Sequence, residues 1–204
     1  LQQMPALNMC GFLYSGSDIG GFGADCTEDL MARWLSLAIL TPLYRNHACA
    51  GTRLQELYQF QNLESFRKII ELRYALIPYI YSEFMKAAVE NEMYFRPLSF
   101  IWSKDARAYE VEDQVVVGES IMLAPVVEQN HNGRTVYLPE SMKLLRFKAW
   151  NDYTEEILPA GTHYVECRLF ETILFLRKGH VLPLIKPAKT TAELDYASLK
   201  FLCY

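Results

Sequence analysis

Gly11-Phe12-Leu13-Tyr14-Ser15-Gly16-Ser17-Asp18-Ile19-Gly20-Gly21-Phe22-Gly23 sets an apolar run directly before a glycine-rich stretch with one carboxylate inside it. Residues 11–15 read as a short buried strand, and the glycines after them read as a tight turn. Gly16, Gly20 and Gly21 allow the backbone to turn sharply and to approach a ligand closely. Asp18 therefore sits at a strand end, where α/β barrels place their site residues, although capping a turn would also account for it. The stretch has neither the G-x-G-x-x-G nor the G-x-x-x-x-G-K-[ST] spacing of a phosphate cradle, so it does not read as a nucleotide site.

Outward from this stretch, Thr27 is an N-cap residue, with Glu28 and Asp29 in the first helical turn where negative charge suits the dipole. Leu30, Met31, Trp34, Leu35, Leu37 and Ala38 supply an apolar helical face, and Thr41-Pro42 stops it, because the residue before proline avoids helical geometry. Leu43-Tyr44-Arg45 is a second short extended segment, followed by the polar group Arg45-Asn46-His47, which is positioned to converge on one pocket with Asp18. Strand, loop, helix, strand and loop in this order follow the grammar of a β/α barrel or an open α/β sheet. A long helix is expected over residues 64–92, kinked or divided at Pro78.

After Arg96-Pro97 the pattern changes. Runs at residues 115–118, 121–126, 134–138 and 172–176 are β-rich, with Asn132-Gly133 and Ala160-Gly161 as turns between runs. This half reads as an antiparallel sandwich of roughly ninety to a hundred residues, an ordinary size for such a module. The expected organisation is therefore α/β over residues 1–102 and all-β over residues 103–204.

The 204 residues are 51% hydrophobic and 22% charged, with a formal net charge of -4 and no basic run, which argues against a nucleic-acid groove. Cys10, Cys26, Cys49, Cys167 and Cys203 are odd in number and include no C-x-x-C pair, so no structural metal site is expected. Buried free thiols in a reducing compartment, the cytoplasm, are the expectation. The longest apolar run, around Trp34 to Tyr44, is too short for a bilayer span, so no membrane partner is expected. A sugar fits the polar cluster. Each hydroxyl is both donor and acceptor, suiting Asp18 and His47, and an aromatic such as Phe22 can cover the apolar ring face.

Gly16-Ser17-Asp18-Ile19-Gly20-Gly21-Phe22 closely resembles the G-x-D-I-G-G-F signature of glycoside hydrolase family 31. Arg33-Trp34, Pro42 with Arg45-Asn46-His47, Arg73-Tyr74-Ala75-Leu76-Ile77-Pro78-Tyr79-Ile80-Tyr81, Arg96-Pro97-Leu98, Asp113-Gln114 and Leu123-Ala124-Pro125-Val126 resemble further family motifs in the same order. Val136-Tyr137-Leu138-Pro139 and residues 176–183 close the match, which covers nearly the whole chain. The resemblance implies the C-terminal part of a (β/α)8 TIM barrel followed by an antiparallel β-sandwich. It implies a retaining, exo-acting α-glucosidase working on terminal α-linked glucose through two Asp carboxylates, with no cofactor. It also implies that both carboxylates lie upstream of the signature, the nearer by roughly thirty residues. Only seventeen residues precede Asp18, so no catalytic residue is assigned here and an N-terminal remainder of the enzyme is an expected partner. By resemblance, Asp18, Phe22 and His47 bind the terminal sugar, while Arg45 orients the Asp18 loop and Arg73, Tyr74, Tyr79 and Tyr81 knit the long helix to the barrel. The chain departs from the pattern where Leu57 follows Glu56 in place of the usual proline, and where Val116 replaces a phenylalanine. An α-xylosidase or another activity of the family is the alternative, as is a non-catalytic sugar-binding or structural module. Homo-oligomerisation is left open.

Overall fold

Gly16 is where the first strand begins. The computed structural model describes residues 1–204. Residues before Gly16 form a short helix, α1 (Gln3–Met9), closed by Gly11 at φ +87°. The strand expected at residues 11–15 is displaced onto the glycine-rich stretch itself, as β1 (Gly16–Ile19). The reason is the neighbour available. Phe12 folds back to give its N–H to the Leu7 carbonyl, and Phe12 and Tyr14 remain 63% and 67% exposed, so only Leu13 of this apolar run packs against the core.

Helix α2 (Glu28–Leu37) starts at Thr27, whose hydroxyl accepts from the Leu30 N–H, and its last turn tightens over Ala38–Leu40 before Thr41-Pro42. Leu30, placed by periodicity on the apolar face, is exposed. Strand β2 (Leu43–Asn46) then lies parallel to β1, pairing Gly16 with Leu43 and Asp18 with Arg45. The strands approach so closely at their start that a Cβ on Gly16 would fall 2.2 Å from the Leu43 carbonyl oxygen.

The long helix is divided at Leu76 into α3 (Leu63–Ala75) and α4 (Ile77–Glu90), with Pro78 in the first turn of α4, where its missing N–H costs nothing. Tyr79 is fully buried. Its hydroxyl donates to the Val117 carbonyl at 2.6 Å and accepts from the Ser120 and Ile121 N–H groups. Its ties therefore run to the β-rich half. Tyr81, expected to knit the helix inward, is 65% exposed, while Arg73 holds the Ile39 and Pro42 carbonyls.

Strand β3 (Phe95–Arg96) precedes α5 (Leu98–Ile101) and opens a six-stranded antiparallel sheet. Its further members are β4 (Val115–Val117) and β5 (Ile121–Leu123); past β6 (Gly133–Leu138) come β7 (Met142–Ala149) and β8 (Asp152–Leu158); and past β9 (Gly161–Glu166) comes β10 (Thr172–Arg177). The order across the sheet is β3-β4-β5-β10-β7-β8. Strands β6 and β9 pair with each other, and β11 (Val181–Leu184) pairs with β12 (Lys200–Cys203).

Alternation along these strands assigns the two faces of the sheet. Val115, Val117, Ile121, Leu123, Leu145, Leu174 and Leu176 join the large core with α2, α3 and α4. Val116, Met122, Leu144, Ile173 and Phe175 join a second core with Val136, Leu138 and Val165 of the β6–β9 ribbon. Burial on both faces explains why these runs read as continuously apolar. A polar latch also links the halves. Arg33 of α2, 7% exposed, gives hydrogen bonds to the carbonyls of Cys167 at 3.1 Å, Arg168 at 3.2 Å and His131 at 2.6 Å. Of the cysteines expected to be buried, Cys26 and Cys167 are, while Cys10 and Cys203 are exposed at the surface. Burial pushes the Cys167 thiol up to about 11.

Candidate functional site

The period of two along a strand sorts the residues of β1 and β2. Ile19 turns inward and is 1% exposed, and Ser17 accepts a hydrogen bond from Trp34 Nε1 at 2.9 Å, so this face rests on α2. Asp18 stands on the opposite face. The parallel register sets Arg45 beside it, and His47 follows two residues further along the same chain.

Asp18 and Arg45 form an ion pair. Arg45 Nε and an Arg45 terminal nitrogen donate to the same carboxylate oxygen, Asp18 Oδ1, at 2.8 and 2.5 Å. The second oxygen, Oδ2, receives no hydrogen bond from the protein in this arrangement. The Asp18 side chain is 21% exposed and that of Arg45 51%, so the pair adds under about 1 kcal/mol to stability. Its effect is to fix which way the carboxylate faces.

The turn after β1 is built from glycine out of necessity. Gly21 at φ +84° gives its N–H to the Asp18 carbonyl at 3.1 Å. Gly20 combines φ +96° with a Cβ site that would lie 2.8 Å from the Met31 methyl and 3.1 Å from Cys26 Sγ. This turn delivers Phe22, which is 50% exposed, to the His47 ring with centroids 5.5 Å apart and planes at 37°. The Phe22 carbonyl accepts from the Cys49 N–H at 2.9 Å, tying the two loops together.

Asn46 does not join Asp18, although it lies between Arg45 and His47 in the sequence. It shares a face with Ile19 but stays exposed, donating from Nδ2 to the Gln55 carbonyl at 2.7 Å and accepting from Gln55 Nε2 at 2.8 Å. Gln55, not singled out in the sequence, is 5% exposed and also donates to the Ile19 carbonyl at 3.2 Å and the His47 carbonyl at 3.1 Å. One buried amide therefore sets the spacing between the β1 and β2 loops. Its signal in the sequence is faint, since a glutamine in a polar loop carries no pattern. Behind β2, Arg73 lies over the Tyr44 ring at 5.2 Å, and burial lowers Arg73 from its ordinary value while raising Tyr44.

The structure thus brings together two pairs, Asp18 with Arg45 and Phe22 with His47, on the loops that end two parallel strands. His47 also borders a cleft of about 490 Å³ made by residues 46–58, which Asp18 and Phe22 do not line. The site offers carboxylate, guanidinium, imidazole and aromatic groups to solvent. That set can hydrogen-bond hydroxyls and cover an apolar ring face.

Comparison with known proteins gives consistent matches along the chain. Residues 1–83 match the model of the glycosyl hydrolases family 31 TIM-barrel domain, and residues 91–182 match that of the glycosyl hydrolase family 31 C-terminal domain. The chain is 31% identical over 193 residues to alpha-glucosidase 2 of Bacillus thermoamyloliquefaciens, covering 93% of this chain and 24% of that protein. It is 32% identical over 199 residues to the lysosomal alpha-glucosidase of Bos taurus, covering 91% of this chain and 21% of that protein. Among solved structures, a Flavobacterium johnsoniae GH31 dextranase superimposes with a TM-score of 0.79 at 26% identity, over 97% of this chain and 24% of that one. The glucosidase II alpha subunit shares the fold, with a TM-score of 0.82 at 23% identity over 93% of this chain and 21% of that one. The chain therefore spans about a quarter or less of the length of these relatives.

Proposed function

The chain belongs to glycosyl hydrolase family 31, and from that premise we propose that it forms part of the sugar pocket of a retaining, exo-acting α-glucosidase. Strands β1 and β2 are two strands of a (β/α)8 barrel whose other strands come from a longer polypeptide, and the β-rich half is the adjoining β-sandwich. Asp18, Phe22 and His47 line the subsite for the terminal α-linked glucose. The nucleophile and the acid/base carboxylates of the retaining reaction come from other barrel strands.

The observation that carries this reading is the one-sided pairing of Asp18. Arg45 occupies Oδ1 and leaves Oδ2 to accept from a sugar hydroxyl. His47 donates to one hydroxyl and accepts from another, and Phe22 presents an apolar face beside it. Arg45 orients the carboxylate without taking part in the chemistry. The exposed apolar side chains of Phe12 and Tyr14, just before β1, suit an interface with a neighbouring part of the barrel.

Assays with p-nitrophenyl α-glucoside and p-nitrophenyl α-xyloside test this reading. The purified 204-residue chain should turn over neither, and the longer enzyme that contains it should hydrolyse the glucoside. Turnover by the 204-residue chain alone would overturn the division of labour. Hydrolysis of the xyloside in preference to the glucoside would overturn the substrate assignment.

A further inference from the structure

The β6–β9 ribbon carries an aromatic that neither core uses. Tyr164 of β9 is 67% exposed, although it lies in the middle of a paired strand opposite Thr135. Its hydroxyl leans toward Gly133 of β6, where a Cβ would come within 2.9 Å of it and within 2.5 Å of the Val165 carbonyl oxygen. Gly133 is buried, so the tyrosine covers the glycine backbone on one side and shows solvent the rest of its surface. An aromatic laid beside a strand glycine can serve to protect the sheet alone. That role does not call for the cleft beside it.

The cleft has a volume of about 300 Å³ and is amphipathic. Tyr164 and the 55% exposed Val127 give it apolar wall, while Asp113, Arg134, Glu128 and His131 give it polar rim. The rim is held in place. Arg134 donates to the Asp113 carboxylate, to the Asp113 carbonyl at 3.0 Å and to the Pro125 carbonyl at 2.9 Å, and His131 lies 3.2 Å from Glu128. Asp113 and Glu128 remain more than half exposed, with oxygens open to further donors. None of Asp18, Phe22 and His47 lines this cleft.

The geometry points to the Tyr164 cleft as a second carbohydrate-binding site, taking an α-glucan chain by ring contact on Tyr164 and hydroxyl contacts on Asp113 and Glu128. An open aromatic face bordered by carboxylates matches the two-sided chemistry of a pyranose, which is apolar on its ring faces and polar at its edge. The site extends the proposed glucosidase reading, since a surface that holds a glucan chain raises the local concentration of its ends.

Electrophoresis of the longer enzyme through gels containing soluble starch, with starch-free gels as the reference, tests the site. Retardation of the wild type should weaken about tenfold in apparent affinity in Tyr164→Ala and be retained in Tyr164→Phe, which keeps the ring. Val127→Asp, on the other wall of the cleft, should also weaken it, so the test survives if Tyr164→Ala misfolds. All variants should keep wild-type kcat/KM on p-nitrophenyl α-glucoside, too small to span to the cleft. Equal retardation of wild type, Tyr164→Ala and Val127→Asp, or no retardation of the wild type, would overturn the site. Loss of glucoside hydrolysis by the wild type would instead overturn the glucosidase reading.

Discussion

Both hydrogen bonds that Arg45 gives to Asp18 end on one carboxylate oxygen, Oδ1, at 2.8 and 2.5 Å. The pair is cross-strand and in register, so β1 and β2 cannot slip without breaking it. Arg45→Ala should therefore leave Asp18 free to rotate. In the longer enzyme kcat/KM for a terminal α-glucoside should fall on the order of tenfold, with little change in melting temperature because the pair is solvent-exposed. Arg45→Lys, a point charge without the fork, should recover only part of the loss. Steady-state kinetics with parallel thermal unfolding reads both effects.

His47→Ala should act on sugar binding and leave the fold intact. The ring is exposed beside Phe22, and only its backbone carbonyl is held, by Gln55. Removing the imidazole leaves a sugar hydroxyl without its partner, which should cost about 1–3 kcal/mol, or roughly ten- to a hundredfold in kcat/KM. An unchanged kcat/KM with a lowered melting temperature would assign His47 a structural role instead.

Arg33→Met should do the reverse. The substitution strips three carbonyls, those of His131, Cys167 and Arg168, of a buried donor. A loss of about 2–4 kcal/mol is expected in chemical denaturation. Folded mutant should retain wild-type kcat/KM, since none of these groups belongs to the Asp18 face.

His180 gives a pH dependence of known sign. Burial, and then the Arg177 charge, hold it below its ordinary value, against the opposing pull of Glu119 and Glu140. The unfolded chain thus binds the proton more readily than the folded one. The stability contribution is fully present above a pH of about 6.5 and is lost as pH falls through the ordinary value toward the lower folded one. Unfolding free energy measured from pH 7.5 down to 5 should drop less in His180→Gln than in the wild type, by an amount set by that depression.

Much of this arrangement was legible in the sequence, because it rests on local chemistry. Thr27, Pro42 and Pro78 each act on their own neighbours, so helix starts and breaks fell where expected. Strand β1 did not, because the apolar character of Phe12 to Tyr14 resembles burial, whereas Phe12 and Tyr14 stay exposed and only Leu13 packs against the core. Strand β8, with the exposure of an edge strand and the sequence Asp-Tyr-Thr-Glu-Glu-Ile-Leu, has no apolar alternation to read. At the site, residue types and spacing brought Asp18, Phe22, Arg45 and His47 forward. The turning away of Asn46 depends on Gln55, nine residues on, and only the folded loop reveals that partnership.

The most direct measurement is kcat/KM of Asp18→Asn in the longer enzyme on p-nitrophenyl α-glucoside, with the melting temperature recorded alongside. The amide keeps the shape of the carboxylate but loses its charge and half of its accepting capacity, both for Arg45 and for a sugar hydroxyl at Oδ2. The expected result is a fall on the order of a hundredfold or more with a melting temperature close to wild type. A folded Asp18→Asn enzyme with wild-type kcat/KM would contradict the assignment of the β1–β2 face as the glucose subsite.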